Sequence, residues 1–394
     1  MKSVRDVYII GNGPSSSHTM GPSFAIDYVL NKYPNLDKIE VILCGSLAFT
    51  GKGHLTDKII DEKLSNVDHK ITFDYKRKVE HPNTLFLKIY QNNEIFEEKV
   101  LSIGGGSILT NDNENESTKE VYHEHYLSDI LKYCDFHNLT LFQYIIKNED
   151  KDLLSYLTRV YETMENAIAN GISKSGYLPG SLKVKRKAKE MFERRTSSLF
   201  EEIEIKVTTA AFAVSEENAS GGIVATAPTC GSSGVIPGVI TYLKYKGISK
   251  DKIIEGLAVA GLIGVIVKTN ASISGAVSGC QAEIGVASAM ASALIMHAFG
   301  YDNYKIAQAS EIALEHSLGL TCDPIKGYVQ IPCIERNAIF ALKAINSASL
   351  ASFISSNSNK ITFDDIVKTM YETGNDIKKG YKETSKKGMS KLKI

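Results

Sequence analysis

The sequence predicts an α+β fold: an N-terminal α/β domain with a mixed sheet, residues 1–139, followed by an all-helical domain, residues 140–394. Three observations predict it. Short β-branched runs are confined to the first part of the chain, and the polar linker "NDNENEST" (111–118) closes them off. Beyond the linker, Ala, Ile, Leu and Glu recur at helical spacing, broken by the glycine-rich turns "NASGG", "CGSSG" and "NASISGAVSG".

The elements follow in order. "VYII" (7–10), "IEVILCG" (39–45) and "ITFDYK" (71–76) read as strands, because β-branched and aromatic side chains fit a pleated, half-buried surface. "LFLKIYQNNEIFEEKVLSI" (85–103) alternates about Asn92-Asn93 and reads as a hairpin, since asparagine tolerates the positive φ that a tight hairpin turn requires. Helices are expected after Pro22 and after His54, and another capped by Ser117 or Thr118. The longest clean apolar run, Gly256 to Val267, lies between Glu255 and Lys268. It is shorter than the roughly 20 residues a bilayer requires, so it reads as a buried core helix. "NASGG" and "NASISG" look alike but recur at no fixed period, which gives no case for a repeat.

Composition narrows the function. The chain has 394 residues, with 45 Lys and Arg against 45 Asp and Glu. Without a net positive field, nucleic acid and anionic membranes are not expected partners, and a small-molecule role fits better. "MKSVRDVYIIGN" carries no apolar stretch ahead of a small-residue cleavage site, so a cytoplasmic location is expected. Six cysteines in such a chain point to reduced thiols, metal ligation or catalysis rather than disulfides.

Cys280, Cys322 and Cys333 stand apart from the rest. Cys280 immediately precedes a long amphipathic run, and Cys333 follows Pro332, which favours the first turn of a helix. Helix N-termini favour thiolates, so both thiols are expected to be primed as ligands. Asp323-Pro324 holds Cys322 on a turn. No pair has the short CxxC spacing of zinc ribbons, so a cluster gathered from separate helices is expected over zinc. Cys44 and Cys134 sit in ordinary strand and helix surroundings, and Cys230 in "TAPTCGSSG" stays open. A buried thiol is otherwise a small hydrophobe, which is the competing reading for each cysteine taken singly.

"GNGPSSSHTMGP" leaves a strand and enters a helix through hydroxyl residues, so Ser15, Ser16, Ser17, His18 and Thr19 could cradle a carboxylate or phosphate, or could simply cap the helix. "GNGPSS" lacks the third glycine of a dinucleotide loop, and "GSLAFTGKGH" has one residue too many for a P-loop and no Ser or Thr after Lys52. His54 follows Gly53 at a helix start and reads as a neutral base or donor, or as a cap. His316, six residues before Cys322, is close enough in sequence to support a metal there. "KVKRK" (183–187) reads as a solvated or substrate-side basic run.

Together "GPSSSHTMGP", "GSLAFTGKGH", "LPGSLKVKRKA", "SEENASGG", "GCQAEIGVASAMA" and "LGLTCDP" followed by "VQIPCIERNAI" resemble, in order and over nearly the whole chain, the iron-sulfur-dependent L-serine dehydratases of bacteria. The resemblance implies a β domain carrying the SSSHT loop, a helical α domain, and a 4Fe-4S cluster held by Cys280, Cys322 and Cys333 with one iron left open. It implies deamination of L-serine to pyruvate and ammonia, with the substrate at Ser15 to Thr19, Asn218 and Asn270, and catalysis by His18, His54 or a Ser16 alkoxide. The expected assembly is a homodimer. Many members end in a cysteine that reaches the open iron, whereas this chain ends "YKETSKKGMSKLKI". Water is the expected occupant of that corner, with Cys230 as the alternative. No regulatory module separates the domains, so no allosteric serine site is expected. L-cysteine as substrate, a non-catalytic iron-sulfur redox sensor and a metal-free amino-acid binding protein are the competing functions.

Overall fold

The computed structural model describes residues 1–112, 120–194, 202–355, 360–384 and 386–392. The helix start expected at Ser117 or Thr118 lies outside the described residues, and the next helix is Leu127–His137.

Among the described residues, seven strands form two sheets. β1 (Ile10–Asn12) pairs antiparallel with β7 (Ile223–Ala225), and β2 (Lys38–Gly45), β3 (Asp68–Asp74), β4 (Asn83–Gln91), β5 (Glu94–Gly104) and β6 (Ser107–Leu109) form one mixed sheet in the order β3-β2-β4-β5-β6. Among the described strands only β2 and β3 run parallel, joined through the helices Ser46–Thr50 and Thr56–Lys63. The hairpin turns at Asn92 and Asn93, both at positive φ, where the alternation placed it. The strand expected at "ITFDYK" starts earlier and ends at Asp74, and the one at "VYII" shifts further. Val4–Val7 winds into a 3₁₀ turn, and the strand starts three residues later at Ile10, because Val4 and Val7 are buried against the helical body rather than in the sheet.

Alternation buries one face of the sheet. Ile39, Val41, Leu43, Leu85, Leu87, Ile89 and Val100 pack with Ala25, Ile26 and Val29 of the helix Gly21–Lys32. That helix begins with Pro22 in its first turn, where a missing N–H costs nothing.

A second, larger core belongs to the helices. Lys250–Asn270 and Ile284–Ala298 pack at its centre, and a Cβ added at Gly256 would stand 2.5 Å from the Leu294 side chain, so glycine there lets the two backbones approach. Lys250–Asn270 is long and apolar enough to cross a membrane by length and composition, but 78% of its apolar window is buried inside the protein, as expected of a core helix. Apolar packing runs across the proposed division at 139/140. Met1, Val4, Val7 and Tyr8, and then Tyr122, Leu127, Ile130 and Cys134, all lie in the helical core. The buried terminal ammonium of Met1 donates to Tyr122 O, fastening the two stretches together.

The basic run "KVKRK" corrects its reading as a solvated strip at one residue. Arg186 is buried, and its guanidinium meets Glu217 Oε1 at 2.9 Å and Ser220 Oγ at 2.7 Å. Glu217 in turn takes Lys174, because a buried carboxylate must be paired to stay charged.

Candidate active site

Where the N-terminal region meets the helical body, a narrow cavity is lined by Ser15, Ser16, Ser17, Gly104 and Gly105 from the N-terminal side, and by Cys280, Cys322, Cys333, Glu283, Arg336 and Glu383 from the helical side. Local structure explains each position. Ser15 is the N-cap of a single π-helical turn, Ser16–Met20, and its Oγ accepts from His18 N at 3.1 Å. That turn runs straight into the helix Gly21–Lys32, so Ser16 and Ser17 stand in a first turn. Among the described residues their amide N–H groups have no partner, which leaves two donors and three hydroxyls on the cavity wall.

Cys280 opens a 3₁₀ turn, Cys280–Ala282, ahead of Ile284–Ala298, and Cys333 is the first residue of Cys333–Phe353. Cys322 is clamped by the C-terminal segment: its N–H donates to Tyr381 O at 2.9 Å, and its carbonyl accepts from Glu383 N at 2.6 Å. Three remote stretches thus deliver three thiols to one cavity, close enough that charge on Cys280 or Cys333 raises Cys322.

The expectation of primed thiolates is corrected. Burial pushes Cys280 up to about 11 even though Arg336 pulls it down, and burial holds Cys322 and Cys333 far higher than a free thiol. Desolvation of a charged sulfur outweighs the helix-end field here, so metal binding would have to displace protons.

Below the serine turn, two buried histidines lie with ring centroids 4.5 Å apart and planes tilted by 34°. His18 Nδ1 lies 2.9 Å from Ser17 Oγ and its Nε2 2.9 Å from Ser46 Oγ. His54 Nδ1 lies 3.1 Å from the Thr50 carbonyl, which can only accept, so the neutral ring keeps its lone pair on Nε2. That Nε2 is buried without a hydrogen bond, 3.9 Å from Glu383 Oε1. Burial lowers both imidazoles, His54 to about 4 and His18 well below its ordinary value, with the charge of His54 adding to the effect on His18. Both are therefore neutral near pH 7.

Other expected residues fall outside the cavity wall. Thr19 spends its hydroxyl on His54 O at 2.7 Å. Asn218 sits behind the loop, its Nδ2 donating to Pro14 O at 3.1 Å, pressed so close that a Cβ on Gly13 would meet its Oδ1 at 2.2 Å. Asn270 ends its helix and donates to His125 O at 2.6 Å and Ile266 O at 2.9 Å; from "NASISG" it is Ile273, Ser274 and Gly275 that reach the cavity. The side chain of His316 is 64% exposed and turned to Ile312 O at 3.0 Å, so it supports no ligand. Cys230 faces away, its Sγ 3.7 Å from Met20 Sδ among Val214, Val224 and Ala167, which removes it as a ligand for a fourth metal corner.

Glu283, Arg336 and Glu383 were not singled out in the sequence. Two of them had a signal. Glu283 follows Cys280, and Arg336 follows Cys333, by three residues, a spacing that keeps both side chains on one side of a helical turn. Glu383 had none, because only the fold brings the C-terminal segment to Cys322.

The donor set suits an iron-sulfur cluster. Among the described residues no group of three His, Cys, Asp or Glu closes on a single ion, whereas three thiols converge on one cavity from separate walls. Soft thiolates spread in this way fit a group of several irons that bridges them, and disfavour one tetrahedral zinc. Gly275 keeps the space open, since a Cβ there would stand 3.0 Å from Cys322 Sγ.

The sheet region and the helical body thus meet at a cavity walled by thiols and hydroxyls, with two neutral histidines behind the serine turn. A model of the serine dehydratase beta chain matches residues 3–65, and one of the alpha chain matches residues 92–390, so the chain belongs to the serine dehydratase family. It is similar to the L-serine dehydratase of Haemophilus influenzae, 38% identical over 99% of both chains, and to that of Helicobacter pylori strain J99, 37% identical over 99% of this chain and 98% of the relative. L-serine dehydratase 2 of Escherichia coli is 36% identical over 99% of this chain and 98% of its own. The Haemophilus alignment runs over 451 positions against 394 residues here, so that it contains at least 57 positions (451 − 394) that this chain lacks.

Proposed function

We propose that the protein is an L-serine ammonia-lyase that eliminates water from L-serine and releases pyruvate and ammonia. The observation that carries this reading is the convergence of Cys280, Cys322 and Cys333 with Ser15 to Ser17 on one cavity, in a chain whose relatives are named L-serine dehydratase.

Cys280, Cys322 and Cys333 would hold a four-iron, four-sulfur cluster, and when bound it would supply a Lewis acid for the β-hydroxyl leaving group. The residues of the chain do the rest. The free N–H groups and hydroxyls of the Ser15 to Ser17 turn bind the substrate carboxylate and fix its orientation. His18 accepts the α-proton through Ser17: the Ser17 hydroxyl passes its proton to Nδ1 across 2.9 Å and takes one from the substrate carbon. Ser46 on Nε2 holds the ring in register for that transfer. Burial keeps the imidazole neutral and so able to accept. Loss of the α-proton and of the β-hydroxyl leaves aminoacrylate, which tautomerises to the imine and hydrolyses.

Anaerobic purification with iron and sulfide should give a protein that forms pyruvate from L-serine, with L-threonine and L-cysteine run alongside. Ser17→Ala should lower kcat/KM by about 10²-fold or more while leaving iron content unchanged. Full iron content with no pyruvate from L-serine would overturn the reading.

A further inference from the structure

A second and much larger cavity, about 650 Å³, lies beside the first, between the β2 end of the sheet domain and the C-terminal segment. That volume is in the range of small-molecule sites. Its walls carry Arg77 from the sheet domain and Lys326, Lys379, Lys382 and Lys386 from the helical body, against the carboxylates Glu80 and Glu383. Among the described residues, none of the five cations makes an ion pair, and none is hydrogen-bonded through its side chain to a carboxylate. Lys32, Lys63, Lys174 and Lys244 each hold an acidic partner, while Lys52, Lys58 and Lys88 also lack one among the described residues, so what sets these cations apart is that they face one concavity. Arg77 lies over the Phe86 ring at 4.2 Å and against Cys44, and in a protein of zero formal charge it and four lysines without ion pairs around one concavity are a local excess that repels itself and attracts an anion. Phe49, Val79 and Pro82 supply an apolar wall, and the Phe49 side chain is left largely in solvent, with only Tyr75 against its edge at 5.5 Å.

We propose that this cavity is a second binding site, separate from the one for the reacting amino acid, for a small organic anion of two or more negative charges with an apolar portion to lay on Phe49. Lysines act as point charges and accept carboxylate or phosphate alike, so the shared chemistry is the polyanion. The site also touches the catalytic groups: Ser46, which holds His18 Nε2 at 2.9 Å, and Glu383, which faces His54, both line it.

The test uses the anaerobically reconstituted enzyme in calorimetric titrations with citrate and, separately, adenosine monophosphate. Binding is read directly, so its outcome does not depend on whether L-serine is the substrate. We expect one of the two probes to bind at one site per chain, with affinity falling as salt is added, and the probe that binds tells a carboxylate source from a phosphate source. The double variant Arg77→Gln/Lys326→Gln takes one charge from each wall and should weaken the dissociation constant at least tenfold, while its circular dichroism and iron content match the parent. Saturating L-serine should leave the stoichiometry unchanged. Heat from neither probe, equal affinity in the double variant, or one-for-one displacement by L-serine would each overturn the proposal.

Discussion

Thr229-Cys230-Gly231 and Thr321-Cys322-Asp323 both run along the cavity between the domains, and both carry a buried cysteine. In the first stretch the neighbours Thr229 and Gly231 line the cavity, while the thiol points the other way into Met20, Val214 and Val224. In the second the thiol itself lines it, 3.7 Å from Glu283 Oε2 and with Cys280 and Cys333 on the adjoining walls. Burial raises both thiols far above a free cysteine, so burial does not tell a ligand from a core residue. The neighbours do. A thiol facing a carboxylate, two other thiols and, through Cys280, a guanidinium sits where polar groups have been gathered against the cost of desolvation. Cys230 packs on a thioether and two valines, and although the charge of Glu283 reaches it too, its thiol does not line the cavity.

The comparison breaks most decisively at Cys322. Cys322→Ala should abolish stoichiometric iron and bring pyruvate formation to background, read by iron-to-protein ratio and the anoxic serine assay. Retained iron and activity would put Cys322 in the same class as Cys230. A smaller effect concerns the histidine pair under the serine turn. His54 titrates near 4 in the fold and near 6.5 when unfolded, so the unfolded chain binds more protons below 6.5. Stability from this group is therefore complete above about pH 6.5 and lost as pH falls through about 4, to a total of roughly 3 kcal/mol. Urea midpoints should fall steeply between pH 6.5 and 4, and less so in His54→Asn; an identical acid loss in that variant would move the effect to other groups. The smallest effect is expected at Cys230. Cys230→Ala should cost about 1 kcal/mol in a denaturation curve and leave iron content and kcat/KM within about twofold. Loss of iron in that variant would return the residue to the site.

Much of the fold was legible because it is written in local periodicity. Alternation about Asn92-Asn93 gave the hairpin, and the long apolar run gave the core of Lys250–Asn270, since a strand or helix that must bury one face or all faces shows it in its own residues. "VYII" misled because its first residues are buried by helices far along the chain rather than by sheet neighbours. The site was legible in part. Cys280 and Cys333 announce helix starts and Ser15 a cap, all short-range signals. Asn270 and His316 looked equally suited and point elsewhere, because the last side chain of a helix turns to whichever carbonyl or solvent the surrounding packing leaves it.

By itself the sequence determined the fold class, the place of the mixed sheet ahead of the helical region and the three thiols worth testing, since periodicity, capping and residue chemistry act over a few neighbouring positions. Only the tertiary structure decided that Glu383 reaches Cys322 from the far end of the chain, that Cys230 turns its back on the cavity, and that Arg77 and four lysines surround a second one. Those outcomes depend on which remote surfaces exclude water from one another, and no local stretch of residues encodes that.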